Sequence, residues 1–297
     1  MNRGADRVGR LRTGTCSWKY AAWEGIVYQP GDRANYLAAY ARCYDTVEVD
    51  QWFWSLHGPD ALSLPNPRDV ETYAGSVPDD FRFTVKVPNA VTLTHHYPRE
   101  KKGPLLENPH FLSPSLFGEF LERLAPLRGR LGPLMLQFEY LNQRKMPSRD
   151  AFFERLEAFL GGCPEGIHCA VELRNASWLV PPFFDLLRRT GAAPVFLEGY
   201  WMPPVWEVLE AHGDRVGPVA VVRLHGPDRQ GIEERTGKQW DAVREPKDAH
   251  LPRVADAVRG LLARGTDVYL NVNNHYEGCA PLTLERLQPL LNSPDHP

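Results

Sequence analysis

Charged and amide side chains recur near the ends of five stretches of this sequence that alternate between polar and apolar residues. The stretches and their polar residues are TVEVD (46–50) with Glu48 and Asp50, FRFTVKV (81–87) with Lys86, CAVELR (169–174) with Glu172 and Arg174, VVRLH (221–225) with Arg223 and His225, and YLNVN (269–273) with Asn271 and Asn273. Successive side chains of a β-strand point to opposite faces, so residues of one parity share a face. Strands that gather polar groups near their carboxyl ends are typical of the functional rim of a barrel.

Glu172 and Arg174 are two residues apart, so both face the same side of the predicted fifth strand. A neighbouring guanidinium group stabilises a carboxylate and lowers its pKa. The pair therefore favours a hydrogen-bond acceptor or base over a proton donor, and a structural ion pair at the barrel top is the alternative. Glu48 is the second candidate for acid/base chemistry.

Lys86 ends the predicted third strand, where a partly desolvated ammonium group could bind an anion, act as a base or form a Schiff base. Schiff-base chemistry is the least favoured of these roles, and an ion pair with Glu48 is the structural alternative. Arg223 and His225 add a second guanidinium and an imidazole. Together with Arg174, these groups predict a positive pocket for a phosphate or carboxylate, with His225 as either a catalyst or a structural hydrogen-bonding residue.

A metal site receives less support, because the candidate ligands are dispersed and form no tight motif such as HExxH. They are Glu48, Asp50, His95, His96, Glu172, His225 and His275. Barrels do assemble metal sites from separate strand ends, so the spacing leaves a metal open as an alternative. We predict no metal ligand, and the sequence specifies no cofactor.

Aromatic residues form another group. Trp18, Tyr20 and Trp23 follow the predicted first strand, and 52–54 (WFW) follow the second. Such rings beside a polar cavity could stack on sugars or bases, which makes Trp18 and Tyr20 candidate ligand contacts. Hydrophobic cover for the barrel mouth is the alternative.

Eight predicted strands alternate with amphipathic segments, which predicts a parallel sheet. The strands are 11–17, 44–50, 81–87, 133–138, 168–174, 193–198, 218–225 and 267–273, and the helices are 33–42, 115–125, 150–160, 178–189, 204–212, 250–264 and 282–291. We predict a (β/α)8 TIM barrel that forms one domain over residues 1–297. An open doubly wound sheet is the alternative, although no glycine-rich nucleotide-binding motif follows any strand.

Two polar insertions, 87–112 and 226–248, follow strands 3 and 7 of the predicted barrel. The loops after barrel strands build the active site in this fold. The insertions are therefore predicted to be extended βα loops that act as lids or substrate loops, with solvated surface decoration as the alternative.

The composition is that of an ordinary globular protein, with 43% hydrophobic and 24% charged residues. The formal net charge of −3 gives no global attraction to nucleic acid or to an anionic membrane. Five cysteines without a CxxC pair suggest a reducing compartment, and the amino terminus has no apolar segment typical of a secretory signal. A cytoplasmic protein without a membrane partner is expected.

Eight motifs in order along the chain resemble the DUF72 or YecE-like family. They are GTCSWKYAAWEGIVYQPG, YDTVEVDQWFW, FRFTVKV, the Thr94-His95 pair, LGPLMLQF, VELRNASW, VRLHG and NVNNHYEGCAP. The resemblance implies a TIM-barrel fold, without a firmly established activity. Positions that match the family pattern are Glu48, Lys86, His95, Gln137, Glu172, Arg174, Arg223, His225 and Asn273 or Asn274.

Three positions depart from that pattern. Asp50 stands where the family commonly has Asn, Asn175 stands where a His commonly follows the Arg, and VNNHYEG replaces a more usual FNND-type ending. A role that belongs to the missing His or to the acidic residue of that ending does not transfer to this chain.

Three hypotheses follow for function. The first is a metal-independent enzyme, a lyase, isomerase or hydrolase, that acts on an anionic small molecule, with a sugar-containing molecule as one option. It assigns acid/base chemistry to Glu172 or Glu48 and an anion clamp to Lys86, Arg174 and Arg223. The second is a divalent-metal phosphoesterase or nuclease, with nucleic acid as a less favoured partner, and the third is a ligand sensor or scaffold without turnover.

Overall fold

The computed structural model describes residues 7–58, 61–97 and 103–293. Eight parallel strands form one sheet, in the spatial order β1-β8-β7-β6-β5-β4-β3-β2. The strands are β1 (Leu11–Thr15), β2 (Thr46–Val49), β3 (Arg82–Lys86), β4 (Leu131–Gln137), β5 (Cys169–Glu172), β6 (Ala193–Gly199), β7 (Val219–Gly226) and β8 (Asp267–Val272). The sheet curls into a nearly closed barrel surrounded by helices, so the predicted (β/α)8 TIM-barrel fold is confirmed.

Ten α-helices are found in the described residues. They are α1 (Tyr36–Tyr40), α2 (Pro67–Gly75), α3 (Asn89–Thr92), α4 (Pro114–Arg123), α5 (Arg149–Gly161), α6 (Pro181–Thr190), α7 (Val205–His212), α8 (Arg229–Thr236), α9 (Leu251–Ala263) and α10 (Ala280–Asn292). The seven predicted helices are all present. The sequence pattern did not predict α2, α3 or α8, nor the short antiparallel hairpin of Leu56–Gly58 and Ala61–Leu62.

The alternation along the strands separates two apolar layers from one polar layer. Within each strand, residues of one parity belong to the core between strands and helices. Val47 on β2 and Val222 on β7 are examples. Residues of the other parity face the barrel interior, where Met135, Ala170, Val195 and Val221 form a separate buried cluster. Two residues further along β4, β5 and β7, the same face carries polar side chains. The barrel is therefore apolar at its centre and polar at its carboxyl end.

The seam between β1 and β2 is closed by side chains. In the described residues, β1 pairs only with β8 and β2 only with β3. Gly14 lies so close to β2 that an added Cβ would meet the Thr46 carbonyl oxygen at 2.0 Å. The hydroxyl of buried Tyr40 accepts a hydrogen bond from the Thr15 amide (2.8 Å) and donates one to the Thr46 carbonyl (3.1 Å). Tyr40 therefore replaces the missing backbone pairing.

We predict that Tyr40→Phe lowers the free energy of unfolding by about 1–3 kcal/mol, because it leaves a buried backbone donor and acceptor without their partner. Urea denaturation measures the loss. Tyr44→Phe is the matched control, since its ring lies 4.8 Å from that of Tyr40 but its hydroxyl does not bridge the strands. Equal effects of the two variants would contradict the bridging role of Tyr40.

The two insertions follow β3 and β7 as predicted. The first runs from β3 to α4, and residues 98–102 of it lie outside the described residues. The second contains α8 and is attached to the loop after β8. Trp240 is buried with its ring edge-on to His275 (5.2 Å), and His275 Nε2 lies 3.1 Å from Glu233 Oε1.

Over residues 7–58, 61–97 and 103–293, none of the helices combines the length and the apolar character needed to cross a membrane.

Candidate functional site

Arg223 is the centre of the polar layer at the carboxyl end of the barrel. It projects inward from β7, and its side chain is 0% exposed. All five N–H bonds of its guanidinium group point at protein acceptors. Nε and Nη2 donate to the two oxygens of Glu48 (both 2.7 Å), Nη2 also to His225 Nε2 (2.7 Å), and Nη1 donates to Glu172 and to Gln137 Oε1 (3.3 Å).

Because all five N–H groups of Arg223 have protein acceptors, its role differs from the predicted one. A guanidinium group has five donors and no acceptor, and none of the five is left for a ligand. The sequence analysis placed Arg223 in an anion clamp, whereas the structure makes it the buried counter-ion that joins β2, β4, β5 and β7.

Glu48 and Glu172 are held as fully buried carboxylates on either side of Arg223. Glu172 Oε1 accepts a further hydrogen bond from Arg174 Nε (3.1 Å). Desolvation alone would raise the pKa of Glu172, but the charges of Arg223, Arg174 and Lys86 outweigh it and lower the pKa. Glu172 is therefore ionised at neutral pH, as the sequence analysis expected.

His225 is held in one neutral tautomer. Burial, followed by the charge of Arg223, lowers its pKa well below the ordinary value for histidine. Because Arg223 can only donate, His225 Nε2 must accept, which leaves the ring proton on Nδ1. That proton is donated to the hydroxyl of Tyr200, 3.2 Å away.

Tyr200 is a site residue that the sequence analysis missed. Its ring lies 4.6 Å from the guanidinium carbon of Arg174. Since its hydroxyl oxygen accepts from His225, its own proton is left without an acceptor among the described residues. Desolvation raises the pKa of Tyr200, so the phenol stays protonated.

Among the described residues, Lys86 and Arg174 have N–H groups without a protein acceptor. Lys86 Nζ lies 3.5 Å from Glu48 Oε1, which uses at most one of its three protons. Arg174 is bound to Glu172 through Nε alone in the described part of the chain, and its side chain is 26% exposed. Lys86 and Arg174 therefore remain candidate ligand contacts at the carboxyl end of the barrel.

A small recess beside this cluster contains other predicted residues. Tyr20, Asn273 and Asn274 line it, together with Cys16, which was not predicted. Asn273 Oδ1 accepts from the His275 amide (2.9 Å), and Asn274 Oδ1 accepts from the Ala280 amide at the start of α10 (2.8 Å). The two Asn side chains therefore fix the loop after β8. Within the described residues, Asn274 Nδ2 is buried without a hydrogen-bond partner.

Cys16, Glu48 and His225 lie close enough together to suggest a metal site, since one ligand atom of each lies within 4.8 Å of the others. The lone pairs that would bind the metal are already engaged, because Arg223 Nη2 donates to both Glu48 and His225. Desolvation also raises the pKa of the Cys16 thiol well above its ordinary value, so the thiolate needed for a metal is disfavoured. The donor set as arranged fits the guanidinium group better than a metal ion.

Two predicted ligand contacts lie apart from the cluster. Trp18 is only 3% exposed and packs edge-on against Tyr73 at 5.0 Å, so its ring belongs to the core. His95 Nδ1 lies 2.9 Å from the hydroxyl of the neighbouring Thr94, and among the described residues His95 has no hydrogen bond to the Arg223 network. For Trp18, the alternative of hydrophobic cover describes its position better than ligand stacking.

Asn175, which departs from the family pattern, joins two βα loops. Its amide accepts from the Leu141 N–H and donates to the Leu141 carbonyl, both at 2.9 Å. The side chain thereby acts like a short piece of backbone pairing between the loops after β4 and β5. Its role is structural in this chain.

The barrel of eight parallel strands, with a charged cluster at the carboxyl ends of its strands, defines the class of protein: a (β/α)8 barrel. The chain belongs to the DUF72 family, since the family described as "Protein of unknown function DUF72" matches residues 12–297.

Individual relatives agree with this assignment. The chain is 26% identical over 259 residues to the UPF0759 protein YunF of Bacillus subtilis (strain 168), which covers 82% of each chain. It is similar in fold to a DUF72 family protein from Thermotoga maritima MSB8, with 22% identity, a TM-score of 0.65 and coverage of 96% and 100% of the two chains. A DUF72 family protein from Enterococcus faecalis V583 gives 18% identity, a TM-score of 0.66 and coverage of 96% and 97%.

Proposed function

We propose that this protein is an enzyme that binds a small anionic molecule between Lys86 and Arg174 and carries out acid/base chemistry on it, as a lyase, isomerase or hydrolase. The observation that carries the proposal is the unequal use of the charged groups. In the part of the chain that the structure describes, the two buried carboxylates and Arg223 satisfy one another, whereas Lys86 and Arg174 have N–H groups without a protein acceptor.

The position of one exposed cation supports an anionic ligand. Glu48, Glu172 and Asp50 carry three formal negative charges, and Lys86, Arg174 and Arg223 carry three positive charges, so the six side chains sum to zero. Arg174 nevertheless presents a cation whose side chain is 26% exposed. A phosphate or carboxylate group there would gain charge-assisted hydrogen bonds in a partly desolvated site.

Proton transfer is assigned to Tyr200 rather than to Glu172 or Glu48. Both oxygens of Glu172 accept hydrogen bonds from arginine, and Arg223 also binds both oxygens of Glu48. Tyr200 holds a hydroxyl proton that has no acceptor among the described residues, and His225 Nδ1–H can stabilise the phenolate left after that proton is donated. The carboxylates act as positioning residues that orient Arg223 and Arg174.

The first experiment is isothermal titration of the protein with inorganic phosphate and with acetate. We expect Lys86→Met and Arg174→Met each to weaken binding about tenfold or more, because each removes a charge-assisted hydrogen bond of about 1.5–3 kcal/mol. Lys145→Met is the matched control, since Lys145 pairs with Glu139 on the loop after β4. Unchanged affinity in both the Lys86→Met and the Arg174→Met variant would refute the proposed binding mode.

A second measurement separates the enzyme from a sensor. Once a ligand is found, Tyr200→Phe is expected to lower the turnover number while the affinity changes little, because only the transferable proton is removed. The sensor hypothesis would be favoured if the affinity depends on Lys86 and Arg174 but the wild type forms no product.

A further inference from the structure

Trp201 is the most exposed of the large hydrophobic side chains in the part of the chain that the structure describes, at 93%. It directly follows Tyr200, whose hydroxyl bonds to His225 in the charged cluster. An indole ring therefore lies in water one residue away from the proposed anion site. A ligand stacked on this ring would remove apolar surface from water.

The backbone holds this ring in an unusual conformation. Tyr200 and Trp201 both have positive φ angles (52° and 65°), and consecutive left-handed residues other than glycine are uncommon. Such strain costs on the order of 1–3 kcal/mol per residue and concentrates at functional sites. Here it turns the Tyr200 hydroxyl inward and the Trp201 indole outward.

The turn that carries both residues is well braced. The Met202 amide donates to the Gly199 carbonyl (3.1 Å), and the Val205 amide donates to Glu198 Oε2 (3.0 Å). Pro203 and Pro204 restrict the chain further. A ligand that stacks on Trp201 would therefore pay little entropy for ordering the loop.

Other exposed aromatic residues share this face of the barrel. Trp54, Tyr97 and Tyr140 follow β2, β3 and β4, and they are 60%, 51% and 63% exposed. Every large exposed aromatic side chain of the described residues thus lies on a loop after a strand. The loops at the carboxyl end of the barrel therefore carry exposed aromatic rings, at the same end as Lys86 and Arg174.

We propose that the ligand carries a planar aromatic ring beside its anionic group, as a nucleoside monophosphate does, and that Trp201 stacks on this ring. The proposal rests on the proposed anion site and names the class of its ligand. A planar ring fits better than a sugar ring, because Met202, Pro203 and Pro204 beside the indole provide no side-chain hydrogen-bonding groups for sugar hydroxyls. Tyr200 and Trp201 are adjacent in the chain, so a ligand bound at the Tyr200 hydroxyl lies beside the residue that carries the indole.

The test compares inorganic phosphate, ribose 5-phosphate and adenosine monophosphate by isothermal titration. Stacking of one base on an aromatic side chain corresponds to about 5- to 150-fold in affinity. We expect the nucleotide to bind tighter than ribose 5-phosphate by a factor in this range. Trp201→Ala should abolish the difference and leave phosphate binding unchanged, whereas Trp201→Phe should keep most of it.

Trp54→Ala is the control, because it removes another exposed indole from the same face. If phosphate binds but the nucleotide binds no tighter, or if its advantage survives in Trp201→Ala, the stacking proposal is overturned and the anion site stands. If none of the three compounds binds, the proposed anion site fails, and the stacking proposal fails with it.

Discussion

Arg223→Met is expected to lower the free energy of unfolding by about 3–5 kcal/mol, because it leaves two buried carboxylates without their shared counter-ion. Glu48 and Glu172 are both 0% exposed, so water cannot replace the lost hydrogen bonds without opening the barrel. Methionine retains much of the side-chain length, so the loss reports mainly on charge. Urea denaturation at pH 7 measures it.

Two further variants separate the charge effect from a packing effect. Arg174→Met removes a partner of Glu172 that is 26% exposed, and we expect a cost of about 1 kcal/mol or less. Adding Glu48→Gln and Glu172→Gln to Arg223→Met removes the unpaired charges and should recover part of the loss. If the triple variant is no more stable than Arg223→Met, packing rather than buried charge explains the effect.

The barrel and its polar rim could be predicted because they depend on local alternation. In β2, β5 and β7, the parity of Glu48, Glu172 and Arg223 already indicates which face is polar, and the structure brings these three side chains into contact. Helix α8 was not predicted because its sequence has little apolar periodicity. Only Ile232 and Thr236 of its eight residues are buried.

The role of each rim residue could not be predicted, because it depends on contacts across the barrel. Arg223 and Glu48 are 175 positions apart, and nothing in VVRLH indicates that all five donors of the guanidinium group find protein acceptors. Tyr200 was not predicted because its position in the site depends on a positive φ angle. The sequence EGYWMPP does not indicate this angle. Trp18 resembles a ligand contact in sequence because burial by Tyr73, a distant residue, is not visible there.

Because His225 is neutral in the folded state, the free energy of unfolding depends on pH and falls as the pH decreases. In the unfolded chain His225 titrates near its ordinary pKa of 6.5, whereas burial and the charge of Arg223 place its folded pKa well below that value. Below pH 6.5 the unfolded state therefore binds a proton that the folded state does not. Stability must fall as the pH decreases, by up to about 1.4 kcal/mol per pH unit for this one group.

We expect His225→Gln to reduce the slope of the unfolding free energy against pH between pH 6.5 and 5, by about 1 kcal/mol per pH unit. Glutamine retains an acceptor for Arg223, so the variant tests titration more than the loss of a hydrogen bond. Glu172 does not contribute in this window, because its folded pKa is lowered below 4.5 and its stabilisation is lost only at lower pH.

His275→Gln is the comparison, since desolvation also lowers the pKa of His275, and its partner Glu233 opposes that shift. Its effect on the slope should have the same sign and be smaller. A His225→Gln variant with the wild-type slope would mean that His225 takes up its proton over the same pH range in the folded and the unfolded state. Nε2 could then not accept from Arg223 below pH 6.5, and the direction of the hydrogen bonds from Arg223 through His225 to Tyr200 would have to be abandoned.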